Sequence, residues 1–129
     1  MALPELIEVV GPARARPVLV TIPGSKSITN RALVLAALMS YLGKIELVGA
    51  LQSEDTELMV AALRILGFHV VTDWESNPTV IVLEHCESSG DEYPPFPAEL
   101  YAGNSGTTMR FLTALVTLGK GRFRLDGDP

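Results

Sequence analysis

The feature that most constrains this chain is an internal repeat. Laying Gly24 on Gly103 brings Gly24-Ser25-Lys26-Ser27-Ile28-Thr29-Asn30-Arg31 over Gly103-Asn104-Ser105-Gly106-Thr107-Thr108-Met109-Arg110, so that Arg31 falls on Arg110 and Leu33 on Leu112. With one residue of gap near Tyr41, Lys44–Gly49 then falls on Arg122–Gly127. A small-residue turn, an apolar helix and a strand therefore occur twice in the same order. A repeated supersecondary unit restricts the fold more than any local propensity, because both copies must bury equivalent faces.

The pattern predicts a strand over Val18–Ile22, stopped by Pro23-Gly24. A helix from about Ser27 to Ser40 follows, apolar around nearly its whole circumference and so expected to be enclosed by protein. Lys44–Leu51 reads as a strand. Ser53 with Glu54 and Asp55 starts a second helix, whose Leu58, Met59, Ala62, Leu63 and Leu66 form a one-sided stripe ended by Gly67. Residues 68–73 and 79–84, split by Glu75-Ser76-Asn77-Pro78, read as a hairpin. The unit is β-α-β-α-β-β over about residues 18–85. A loop at 86–97 precedes a second unit at 98–129, with a strand at Leu100–Ala102, a helix at about Ser105–Leu118 and a strand at Arg122–Leu125. That unit stops before its second helix, and residues 1–17 have no counterpart in it.

The 129 residues are 47% hydrophobic and 19% charged, enough apolar material for a globular core. The net charge of −5 speaks against nucleic-acid or membrane-surface binding, since phosphate backbones require an extended basic face; any anion site must be local. Cys86 is the sole cysteine, which rules out an intrachain disulfide and favours a reducing, cytoplasmic setting. Met1-Ala2-Leu3-Pro4-Glu5 does not read as a secretion signal, and the apolar run Ala32–Met39 is far short of the ~20 residues that span a bilayer.

Both repeated turns have the chemistry of anion-binding helix starts. A helix N-terminus presents unsatisfied N–H groups and favours an anion by roughly 0.3–1 kcal/mol when exposed, up to about 2 when partly buried. Lys26 at the mouth, the Ser27 hydroxyl, and Arg31 four residues on from Ser27 would supply the remaining affinity. In the second copy Asn104 can cap, Ser105 and Gly106 let the backbone approach a ligand closely, Thr107 and Thr108 offer hydroxyls, and Arg110 either supports the site or fixes packing between units. The first turn is not a mononucleotide P-loop, because Ser25 and Val20 stand where that loop needs glycine. His69 and His85 lack partners at metal-ligand spacing apart from Cys86, and Glu54-Asp55-Thr56-Glu57 reads most simply as a helix start.

With these residues the chain resembles the 5-enolpyruvylshikimate-3-phosphate synthase family of carboxyvinyl transferases. Pro23–Leu33 is similar to one family signature and Gly103–Arg110 to a second, within a resemblance covering about residues 18–129. The resemblance implies an α/β fold of the α+β type, the enolpyruvyl transferase fold, with three β-α-β-α-β-β units per domain around buried helices. This chain would supply an incomplete domain, and residues 1–17 a strand segment shared with the other domain. It further implies that Lys26 contacts both substrates, that Ser27 and Arg31 hold shikimate 3-phosphate, and that Asn104 and Gly106 line the phosphoenolpyruvate pocket. No cofactor or metal is implied. The partners would be the two small-molecule substrates and the missing C-terminal portion of the enzyme.

Phe111 stands where plant and enteric enzymes usually carry proline, so inhibitor sensitivity at the phosphoenolpyruvate site does not transfer; Thr29 replaces a commoner serine. The sister transferase acting on UDP-N-acetylglucosamine is the nearest alternative, but its lysine is typically followed by asparagine and Lys26 is followed by Ser27. A second alternative is a non-catalytic assembly fragment that self-associates through open apolar faces and strand edges. The family's acid/base groups lie in the other domain, so the chain alone is expected not to turn over.

Overall fold

A computed structural model describes residues 24–85 and 98–129. The elements are α1 (Lys26–Met39), a 3-10 turn (Ser40–Leu42), β1 (Ile45–Val48), α2 (Glu54–Ile65), β2 (Phe68–Asp73), β3 (Val80–His85), β4 (Ala98–Tyr101), α3 (Gly106–Val116) and β5 (Phe123–Asp126). The expected strand at 18–22, the segment 1–17 and the loop 86–97 lie outside the described residues.

β1, β3 and β2 form an antiparallel sheet in that order, with Leu47 opposite Ile81 and Val70 opposite Leu83. The β2–β3 hairpin is the one expected. Its turn is tied by Asp73, whose Oδ1 accepts from the N–H groups of Glu75 (3.2 Å) and Ser76 (3.0 Å). β4 and β5 pair in parallel, Leu100 opposite Leu125, with α3 as the crossover. α2 passes into β2 through Gly67, whose φ of 92° is the left-handed conformation glycine adopts without steric cost. Arg64 locks this corner by donating from Nε and Nη2 to the Val70 carbonyl at 2.9 and 2.8 Å.

The core joins all three helices to the sheet: Leu33, Ala36 and Ala37 of α1, Met59, Val60, Ala62 and Leu63 of α2, Leu112 and Leu115 of α3, and Phe68, Val70, Ile81 and Leu83 of the hairpin. The repeat register persists in three dimensions. Thr29 and Thr108, Leu33 and Leu112, Ala36 and Leu115, and Ala37 and Val116 are matched pairs, all buried. β1 and β5 share the same alternation of half-buried and exposed positions, Ile45 matching Phe123 and Leu47 matching Leu125. The gap near Tyr41 coincides with the 3-10 turn that extends the first helix.

Three expectations are revised. β1 ends at Val48 instead of continuing to Leu51, because Gly49 (φ 79°) turns the chain while its N–H donates to the Thr79 carbonyl at 2.7 Å. Val60 joins the buried face of α2 beside the predicted stripe. α1 is not enclosed among the described residues: α2, α3 and the sheet cover one side, and Ile28, Leu35, Leu38 and Met39 stay exposed on the other.

Candidate functional site

In the first loop Ser25 caps α1, its hydroxyl accepting from the Ile28 N–H at 3.5 Å. Lys26 is therefore the first helical residue and Ser27 the second, at the N–H-rich end of the helix. Lys26 Nζ lies 3.2 Å from Asp55 Oδ2; its side chain is 59% exposed, so the ammonium keeps an open side. Ser27 is half-buried. Arg31 is exposed, and its guanidinium lies 5.9 Å from the centre of the Phe111 ring, a cation–π distance. The first signature thus touches both neighbouring helices, Lys26 reaching α2 and Arg31 reaching α3.

In the second loop the cap is Ser105 rather than Asn104. Its hydroxyl accepts from the Thr108 N–H at 3.1 Å, and the side chain is buried. Asn104 consequently sits one residue before the cap and is exposed. Gly103 takes φ 53°, and Gly106, the first residue of α3, has open space where a Cβ would project. Thr107 is half-buried and Arg110 exposed. Thr108 points inward and is fully buried. This loop and the end of β5 line a cavity of about 530 Å³, bounded by Gly103–Gly106, Met109 and Leu125–Pro129.

The cavity brings in residues that the sequence reading missed. Asp126 and Asp128 bring carboxylates to its wall, each already engaged: Asp126 accepts from Arg124 Nη2 at 3.0 Å and from the Gly127 N–H at 2.9 Å, and Asp128 accepts from the Tyr101 hydroxyl. That bond, with smaller help from desolvation and neighbouring carboxylates, raises the Tyr101 pKa above the ordinary 10.0. The Asp128 N–H donates to the Gly103 carbonyl at 3.1 Å and pins the loop to the strand end.

The first turn of α2 joins the two loops. Asp55 pairs with Lys26 through its carboxylate, and its backbone carbonyl accepts from Thr108 Oγ1 at 3.1 Å. Asn30 Nδ2 also donates to Thr108 Oγ1, at 3.2 Å. Three helix starts therefore meet at one end of the molecule, and two of them carry the repeated signatures. Partial positive charge from convergent N–H groups, with the Lys26 ammonium beside them, is what a multiply charged anion requires. Asp55 read in sequence as an ordinary helix start; only its contacts across the fold mark it out.

A sequence model of the family described as EPSP synthase (3-phosphoshikimate 1-carboxyvinyltransferase) matches residues 15–129. The chain belongs to the EPSP synthase family. It is 47% identical over 120 residues to the 3-phosphoshikimate 1-carboxyvinyltransferase of Nostoc punctiforme, covering 92% of this chain and 26% of that protein. To the enzyme of the same name from Opitutus terrae it is 44% identical over 128 residues, 98% of this chain and 28% of the relative. The solved EPSP synthase from Acinetobacter baumannii superposes with a TM-score of 0.66 at 28% identity, over 84% of this chain and 23% of that one. The fold is accordingly that of the enolpyruvyl transferases, and the chain spans about a quarter of the length of the relatives it matches.

Among the described residues no cluster of three or more His, Cys, Asp or Glu is placed to hold a metal ion, and no helix is long and apolar enough to cross a membrane. His69 lies on the exposed face of the hairpin with Nδ1 3.7 Å from Glu84 Oε2.

Proposed function

We propose that this chain supplies part of the substrate site of a cytoplasmic transferase that moves the enolpyruvyl group of phosphoenolpyruvate to the 5-hydroxyl of shikimate 3-phosphate, with release of phosphate. The observation that carries the reading is the meeting of the two signature loops through Asp55, which contacts Lys26 and Thr108 at once. In this reading Lys26 contacts both substrates, Ser27 and Arg31 hold shikimate 3-phosphate, and Asn104 and Gly106 face phosphoenolpyruvate, with Thr107 and Arg110 in support.

The chemistry follows from charge. The 5-hydroxyl attacks C2 of phosphoenolpyruvate as C3 gains a proton, and the tetrahedral intermediate then expels phosphate. Both substrates are anions and would repel one another in water; a fixed ammonium and fixed N–H donors hold them together and meet the charge that shifts to the leaving phosphate. The groups that deliver and remove protons belong, in this reading, to the polypeptide matching the rest of the relatives' length, and the chain by itself does not turn over.

Amide NMR titration with shikimate 3-phosphate tests the proposal, with UDP-N-acetylglucosamine as control. Saturable shifts at Lys26, Ser27 and Arg31 with the first ligand alone are expected. Equal response to both ligands, or to the control only, would overturn the acceptor assignment. The exposed apolar residues on α1 favour a further partner reading, association with the remaining polypeptide or with a second copy of this chain.

A further inference from the structure

The Thr108 hydroxyl is saturated, and its three partners come from three helix starts. It has one proton and two lone pairs. Asn30 Nδ2 can only donate and the Asp55 carbonyl can only accept, so Thr108 gives its proton to Asp55 and receives one from Asn30 on α1. The remaining contact, 2.8 Å to Ser105 Oγ, must then be donated by Ser105, whose oxygen in turn accepts from the Thr108 N–H. Each proton in the network has one consistent direction.

Thr29, the repeat counterpart of Thr108, holds the chain leading into α2, its Oγ1 accepting from the N–H of Leu51, whose carbonyl in turn accepts from Thr56 Oγ1 in the first turn of α2. Two buried threonines, one from each repeat, thus hold α2: Thr108 at its first turn and Thr29 at the connection that precedes its cap. Asn30 is 0% exposed, and its Oδ1 has no hydrogen-bond partner among the described residues. Retaining a buried amide with one end unsatisfied is costly to the fold, and the end that is satisfied is the link to Thr108.

We infer that Thr108 and Asn30 are positioning residues that set the distance between Lys26 and the Asn104–Gly106 turn, and thereby govern phosphoenolpyruvate binding in particular. The inference rests on the substrate reading above. In that reading the residues for shikimate 3-phosphate, Lys26, Ser27 and Arg31, all lie on α1, whereas those for phosphoenolpyruvate are divided between α1 and the turn that opens α3. Loosening the link between the helices separates the second set and leaves the first intact.

The test titrates this chain and its variants with shikimate 3-phosphate, and with phosphoenolpyruvate at saturating shikimate 3-phosphate. Thr108→Val removes the hydroxyl; Asn30→Leu cuts the α1 link while removing the unsatisfied oxygen, and carries the test if the valine variant does not fold. Either is expected to raise the phosphoenolpyruvate Kd about tenfold and to keep the shikimate 3-phosphate Kd within about twofold, with Thr108→Ser restoring the original values. Unchanged phosphoenolpyruvate affinity, or equal weakening of both ligands in a folded variant, would overturn the inference. If the unsubstituted chain fails to bind phosphoenolpyruvate, it is the substrate reading that fails, and residual dipolar couplings decide the positioning role. Rotation of α3 against α1 in Asn30→Leu supports that role, and identical couplings overturn it.

Discussion

Gly106 and Gly127 serve opposite purposes although both line the same cavity. At Gly127 an added Cβ would sit 2.5 Å from the Gly103 carbonyl oxygen, so Gly127→Ala must push the loop away from the strand. A loss of about 1–3 kcal/mol in urea unfolding is expected. Gly106 has nothing within 4 Å of its missing Cβ, and Gly106→Ala in a helical position should raise stability by roughly 0.4–1 kcal/mol. In the proposed site it should nonetheless weaken phosphoenolpyruvate, because the methyl group enters the ligand's space; a higher Tm with a higher Kd is the expected pair. Tyr101 gives a pH signature. Its folded pKa is raised, so the bond to Asp128 contributes stability in full below the unfolded value near 10 and loses it as pH rises through the folded pKa. Absorbance titration should show one phenol ionising later than free tyrosine, and Asp128→Asn should bring it back.

α1, α2 and α3 each begin at a serine cap, and at α2 the cap is reciprocated. Ser53 and Thr56 form a reciprocal capping box, with the Thr56 N–H to Ser53 Oγ at 3.3 Å and the Ser53 N–H to Thr56 Oγ1 at 2.8 Å, and Thr56 Oγ1 also donates toward the Leu51 carbonyl. Ser53→Ala is expected to cost about 1 kcal/mol in chemical denaturation. It should also disturb the amide resonances of Lys26 and Thr108, because Asp55 is carried on the same turn; shifts confined to α2 would show that the helix starts are not coupled. Helix placement was legible in the chain because caps and apolar spacing are local signals. The exchange of Asn104 for Ser105 as the α3 cap was not: both can cap, and burial of Ser105 against Thr108 decided between them.

For the molecule as a whole, the open side of α1 is the consequential surface. Leu35 is 58% exposed and Met39 49%, on a helix whose composition suits an enclosed setting. Sedimentation velocity should show concentration-dependent association of this chain, and Leu35→Glu with Leu38→Glu should abolish it without loss of helix signal; a monomer at every concentration would exclude self-association through this face. The repeat, the order of helices and strands over the described residues, the hairpin and the family were all determined by the sequence alone, because each is written in residues close together in the chain or in a pattern that recurs at fixed spacing. Only the tertiary structure decided that Asp55 joins the two signatures, that Thr108 faces inward while Gly106 stays open, and that Arg31 lies over Phe111. Those are contacts between residues far apart in sequence, and no local propensity encodes the angle at which three helix starts meet; packing of the shared core sets it.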